Sequence, residues 1–288
     1  MLHETLATLE AAGIPAVAQT RFGEPAIRIE TGNEILVVSL LGAQVLEWSP
    51  GGGTSPLWLT RETLHKPGSP IRGGIPVCWP WFGAAHPPFD GPGHGFARRR
   101  HWKLMSAMKQ HDSVSLHWQL EISGEGYRLL ADYHVRAGRV LALQLATTHL
   151  GTGPCPVTPA FHPYFAVSDL SQTRIRFPAA LQPFDRLTRE HREATETFVF
   201  DGEETEVQWT PWTDLEVECG GNVRLRISSD SATHCVAWNP GPEKTRCMGD
   251  LHADAFNRFV CIEPGRLDQS AAIRPGEKTV ISMVVSRL

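Results

Sequence analysis

Two short stretches hold side chains suited to proton transfer. In TPAFHPYF (residues 158–165), His162 stands among aromatics and directly before Pro163, which biases it to an extended backbone. In RFVCIEPG (residues 258–265), a strand would put Phe259, Cys261 and Glu263 on one face, with Glu263 before Pro264 at the strand's end. A carboxylate following Val-Cys-Ile is costly to bury unless it is paired or used. Histidine is the side chain best placed to exchange a proton near neutral pH, although a lone one among aromatics is more often a satisfied core residue. If His162 and Glu263 converge on an apolar cleft, they form a general acid–base pair needing no metal and no covalent nucleophile. The chemistry would be proton transfer on the substrate's own oxygens.

A third stretch, residues 70–102, carries Arg72, Arg98, Arg99 and Arg100 with His86, His94 and His101 against a single carboxylate, Asp90. It is a local positive region that could hold an anion. The Gly73-Gly74 pair lets the backbone come close or take positive φ, and arginine offers a rigid fork for phosphate or carboxylate. Three consecutive arginines cannot all point one way on a strand, so at least one of Arg98, Arg99 and Arg100 is read as solvated; on motif grounds Arg72 and Arg98 are the expected ligand contacts, ahead of Arg99 and Arg100. Trp79 and Trp81 alternate across Pro80; they fit either a platform for sugar C–H faces or the core.

The rest of the chain narrows the options. With 27 Lys+Arg against 31 Asp+Glu the formal charge is −4, so this is not a general polyanion binder. The 6 cysteines include no C-x-x-C pair, which removes a zinc ribbon or dithiol motif. There is no G-x-S-x-G elbow, no phosphate loop of the Walker type, and no H-E-x-x-H helix. No H-x-H occurs either, which argues against a cupin-type metal isomerase. The N-terminus is not a secretory signal, no apolar run is long enough for a membrane span, and no N-x-S/T sequon occurs. A reducing, cytoplasmic setting is the expectation.

The elements that must position these residues read as strands. After one short amphipathic helix built on Leu2, Leu6 and Leu9 and ending near Gly13, the 26 Gly and 22 Pro punctuate many short apolar or alternating runs. Residues 35–48 suggest a strand pair or one bent strand about Gly42. Val114, Leu116, Trp118, Leu120 and Ile122 alternate strictly with polar residues, the mark of a half-buried antiparallel strand. Further strands are expected at 128–135, 139–149, 174–177, 215–219, 223–228, 234–238, 259–263 and 279–286. The loop 239–258 is the most irregular late segment and is expected at the surface near a ligand, with LHADAF as a helical turn. With no repeat and no linker, residues 1–288 read as one all-β domain, a large sandwich or barrel.

Taken together the islands resemble the aldose 1-epimerase superfamily, specifically its hexose-6-phosphate mutarotase branch. PIRGGIPVCWPWFG and HGFAR look like that branch's signatures, FHPYF like its F-H-x-Y-F, VAWNP like its V-x-W-N-P and CIEPG like its C-x-E-P-G. The resemblance implies a β-supersandwich of the galactose mutarotase kind that interconverts the anomers of a hexose 6-phosphate. By position it implies that His162 is the general acid at the ring oxygen and Glu263 the general base at the C1 hydroxyl. It also implies substrate contacts at Arg72, Arg98, His94 and, in LQPFDRLT, Asp185, with Arg72 and Arg98 suited to the phosphate. Gly93 stands where some members have Gln, and the proline of HPYF replaces the commoner threonine.

Two competing readings share these residues. A mutarotase for unphosphorylated aldoses would use the same pair but gives no reason for basic residues at 72 and 98. A non-catalytic sugar-phosphate-binding protein would leave His162 and Glu263 structural. No cofactor and no metal are expected, nor any nucleic-acid or membrane partner, and the chain is expected to be monomeric.

Overall fold

A computed structural model describes residues 1–212, 214–220 and 223–288. Among these residues three antiparallel sheets carry the fold. Four strands, Ala16–Arg21, Glu24–Thr31, Glu34–Ser39 and Gln44–Ser49, form a meander in chain order. The apolar run at 35–48 is thus a strand pair, turned about Gly42 at φ 77°. The helix Leu2–Ala11 packs Leu2, Leu6 and Leu9 onto the core and ends before Gly13 at φ 66°, as the heptad-like leucines predict.

The nine-stranded sheet contains the long hairpin strands Ser113–Gly124, Tyr127–Ala137, Val140–His149 and Lys278–Arg287. Val114, Leu116 and Trp118 are buried and their polar neighbours are not, which is the alternation the sequence displays. The strand expected at 215–219 is Asp214–Glu218, and its neighbour at 223–228 is Arg224–Ser228.

The eight-stranded sheet is the one that matters for chemistry. Its central strands are Thr205–Trp209, His234–Asn239 and Phe259–Gly265, followed by Ala160–Phe161 and Val77–Cys78, with Tyr164–Ala166 also paired to Phe259–Gly265. Every residue of Phe259–Gly265 is buried. Two faces explain this. Val260 and Ile262 join Val207, Cys235 and Ala237 in the core between the sheets, while Phe259 and Cys261 join Trp58, Tyr164 and Trp238 in a second apolar cluster on the other face. That second cluster is the aromatic floor beside the cleft.

The strand Thr205–Trp209 is absent from the sequence reading. The irregular loop at 239–258 contains a helix, Gly241–Cys247, and a short 3-10 turn, Ala255–Arg258, which overlaps the end of LHADAF. Trp79 and Trp81 are fully buried: Trp79 Nε1 donates to Thr147 Oγ1 (2.9 Å) and Trp81 stacks on Phe89. They are core residues, not a sugar platform. Among the described residues no helix is long and apolar enough to cross a membrane.

Candidate active site

Register brings the acid–base candidates together. Ala160 pairs with Gly265 and Tyr164 with Cys261, so His162, midway between them, stands opposite Glu263. The His162-Pro163 step interrupts the ladder, and the His162 amide instead donates to the Pro76 carbonyl (3.0 Å). His162 Nε2 lies 3.3 Å from Glu263 Oε1. The imidazole stacks on Tyr164 with centroids 4.9 Å apart and meets Trp238 edge-on.

Burial is the largest influence on both groups. It pushes the Glu263 carboxyl well above the ordinary carboxylate range, helped by Glu206 and opposed by Arg186 and Arg98. It pushes His162 well below the ordinary histidine range, helped by His94, Arg98 and Arg72. Both effects favour the neutral forms, a protonated carboxyl facing a neutral imidazole.

Arg72 is placed by its neighbours in sequence. Gly73 and Gly74 sit at φ 109° and 59°, and a Cβ on them would come 2.4 Å from the Trp58 carbonyl oxygen and 2.3 Å from that of Val45. Only glycine lets this segment lie against both backbones. Arg72 then donates from Nε to Asp250 Oδ2 (2.9 Å) and from Nη1 to the Tyr164 hydroxyl (2.9 Å). Arg98 donates to the Gly93 carbonyl (2.9 Å), and its Nε is buried without a partner. Arg99 and Arg100 are exposed, as the solvated reading expects.

His94 adopts φ 63°. Its Nδ1 accepts from the Gly83 amide (3.3 Å) and from the Cys78 thiol (3.5 Å), which places the proton of the neutral ring on Nε2. Burial first, and the charges of Arg98, Arg72 and Arg186 next, push its pKa down to about 3.

These residues line one cleft of about 420 Å³ containing Arg72, His94, Arg98, His162 and Glu263. A groove of about 730 Å³ on the outer face of the nine-stranded sheet is larger, but among its lining residues no buried titratable groups converge. The smaller cleft is therefore the candidate site.

Asp185 is not brought into the cleft. It pairs with Val207, a core-facing residue, so alternation turns it away while Phe184, opposite Gln208, faces the cleft side. Its carboxylate accepts the amides of Leu187 (2.9 Å) and Thr188 (3.1 Å) and the guanidinium of Arg192. Burial opposes its charge, and these partners overcome that and lower its pKa. Arg186, one residue on, does reach the cleft. It bonds Glu206 Oε1 and Gln208 Oε1 (both 2.7 Å) and lies over the Phe82 ring. Glu206, Arg186, Trp238 and Lys244 line the cleft and are the residues that sequence reasoning missed. Lys244 is ion-paired to Glu204. The alternation Thr-Glu-Val-Gln-Trp at 205–209 was the available signal for Glu206.

A family model described as aldose 1-epimerase matches residues 25–286. An Escherichia coli K12 protein named "Putative glucose-6-phosphate 1-epimerase" is 34% identical over 240 residues, 78% of this chain and 77% of its own. A Cenchrus ciliaris protein of the same name is 27% identical over 258 residues, 84% of this chain and 78% of its own. The crystal structure of a "putative mutarotase" from Salmonella typhimurium superposes with a TM-score of 0.81 over 96% of this chain and 98% of its own, at 24% identity, and so shares the fold.

Proposed function

The chain belongs to the aldose 1-epimerase family, and on that premise we propose that it interconverts the α and β anomers of a hexose 6-phosphate, with His162 and Glu263 as acid and base. The chain is an isomerase of the epimerase type. The observation that carries the finer reading is the 3.3 Å opposition of His162 and Glu263 in a cleft walled by Arg72 and Arg98.

In the forward direction His162 delivers a proton to the ring oxygen while Glu263 takes the C1 hydroxyl proton. The bond between C1 and the ring oxygen breaks, the free aldehyde rotates about C1–C2, and closure on the other face reverses both transfers. The pair holds one proton before and after, so nothing else need supply or absorb one. Each transfer is worth about 10²–10⁴ in rate.

The phosphate adds a reason for His162 to begin protonated. Arg72 and Arg98 both depress the imidazole, whereas of these two only Arg98 acts on Glu263. A phosphate seated against the two arginines offsets that depression and favours the imidazolium, the form that can act as the acid. A neutral sugar supplies no such charge. We read residues 1–288 as one domain that acts with no cofactor.

The test is anomeric exchange of glucose 6-phosphate by NMR magnetisation transfer, beside free glucose, for wild type, His162→Ala and Glu263→Gln. Fast exchange of the phosphate, slow exchange of glucose and loss in both folded variants support the assignment. Equal rates for the two sugars would remove the phosphate from the reading. Binding without exchange would make the protein a sugar-phosphate-binding module.

A further inference from the structure

The C-x-E-P-G segment carries a thiol that the acid–base chemistry leaves unused. Cys261 and Glu263 lie on the same face of one strand, and the Tyr164–Cys261 pairing sets His162 beside both. One imidazole nitrogen, the Cys261 sulfur and a Glu263 oxygen all lie within 4.8 Å of one another, and all three residues are buried. His162 Nδ1 and Glu263 Oε1 are buried without a hydrogen-bond partner.

We infer that His162, Cys261 and Glu263 form an inhibitory site for a thiophilic divalent cation of the zinc and cadmium class, the bound ion occupying the acid–base pair and stopping turnover. Ligands at the bond lengths of a tetrahedral zinc stand roughly 3.3–3.8 Å apart. His162 and Glu263 are already at 3.3 Å, and with the sulfur within 4.8 Å of both closing the site needs a swing of at most roughly 1–1.5 Å at the thiol by that geometry. A thiolate and a carboxylate cancel the ion's two charges and the imidazole is neutral, so the loaded site buries no net charge. Three protein ligands leave the fourth position to the cleft, open to water or a substrate oxygen.

The donor set also selects among ions. Sulfur and imidazole nitrogen suit zinc and cadmium, whereas magnesium, calcium and manganese prefer all-oxygen sites. Arg72 and Arg98, which face the same cleft, add a repulsion that weakly coordinated cations cannot offset.

Loss of activity on binding rests on the acid–base reading above; occupancy of the site does not. The experiment therefore reads the two separately. The full chain carries Cys247→Ala throughout, because Cys247 is the exposed thiol and the other five are buried. Titration with cadmium is followed by thiolate-to-cadmium absorption and equilibrium dialysis, with zinc and then magnesium as competitors. We expect one equivalent bound, displaced by zinc and not by magnesium. Cys261→Ala is expected to lose the absorption, keep anomeric exchange of glucose 6-phosphate, and make that exchange resistant to zinc. Glu263→Gln keeps the thiol and the fold and should weaken cadmium by at least about tenfold, which decides the matter should Cys261→Ala not fold. Absent absorption, or absorption unchanged in Cys261→Ala and Glu263→Gln, overturns the site. Binding lost in Cys261→Ala while wild-type exchange stays fast at saturating zinc leaves the site standing and overturns the acid–base reading instead.

Discussion

Glu263 and His162 face each other where their antiparallel ladder is interrupted, 3.3 Å apart, with side chains only 2% and 6% exposed. So little water reaches them that each is driven toward its neutral form. Several consequences can be measured.

Replacing Glu263 by Gln keeps the shape and removes the base, so anomeric exchange should fall by about 10²–10⁴. The same change should stabilise the fold at neutral pH. The folded carboxyl's pKa lies above its ordinary 4.5; above pH 4.5 the unfolded chain ionises first, and wild-type stability falls as pH rises toward the folded pKa. Thermal melts should show Glu263→Gln ahead of wild type at pH 7, with the gap closing toward pH 4.5. A gap that widens on acidification would refute the raised pKa.

His94 titrates with the opposite sign. Its pKa drops from 6.5 to about 3 on folding, so between those values the unfolded chain binds more protons. Wild type should lose stability relative to His94→Gln as pH falls from 6.5 toward 3, by at most about 1.4 kcal/mol per pH unit for one group. Urea titrations of both proteins across that range check it, and parallel curves would count against a buried neutral His94.

Asp185 and Glu206 should separate stability from binding. Asp185→Asn weakens the turn bonds to Leu187, Thr188 and Arg192 and should cost about 1–3 kcal/mol of stability with little change in kcat. Glu206→Gln, in the cleft, should move kcat/KM while the melting temperature barely shifts. The reverse pattern would return Asp185 to the site.

Arg72→Gln should reduce kcat/KM for glucose 6-phosphate by about 10–100-fold, since a hydrogen bond to a charged group is worth about 1.5–3 kcal/mol. Any residual activity on free glucose should change far less. Equal losses on both sugars would place Arg72 on the ring hydroxyls.

Gly74→Ala tests the packing that sets Arg72. Its Cβ would approach the Val45 carbonyl oxygen to 2.3 Å at a φ of 59°, and a strained backbone of this kind costs of order 1–3 kcal/mol. Chemical denaturation measures the loss, and an unperturbed midpoint would mean the segment can move away.

Much of the architecture is legible in local pattern. The alternation in Ser113–Gly124, the apolar run of Phe259–Gly265 and the leucines of the first helix each became the expected element. Thr205–Trp209 was overlooked because its charged and amide residues, Glu206 and Gln208, read as loop in isolation; they are in place because Trp238 and Val236 pair with them. The helix Gly241–Cys247 was overlooked because Asn-Pro-Gly-Pro reads as a breaker, yet it starts the helix: Asn239 Oδ1 accepts the Gly241 amide and the proline sits in the first turn.

The site divides in the same way. His162 and Glu263, each before a proline in an apolar run, were legible as candidates from sequence, Glu263 because the penalty for burying a carboxylate is a local matter of composition and His162 because its side-chain type suits proton exchange. Asp185 against Arg186 was not decidable there. A strand's period of two says that neighbours face opposite ways but not which way the cleft lies. That choice belongs to the pairing of Asp185 with Val207, and the clamp on Arg72 belongs to Asp250, 178 residues away. Sequence alone determined which residues could carry charge and chemistry, because side-chain type and local backbone bias are properties of the chain. The tertiary structure decided which of them meet, because register and sheet packing are set by contacts between segments that the sequence keeps far apart.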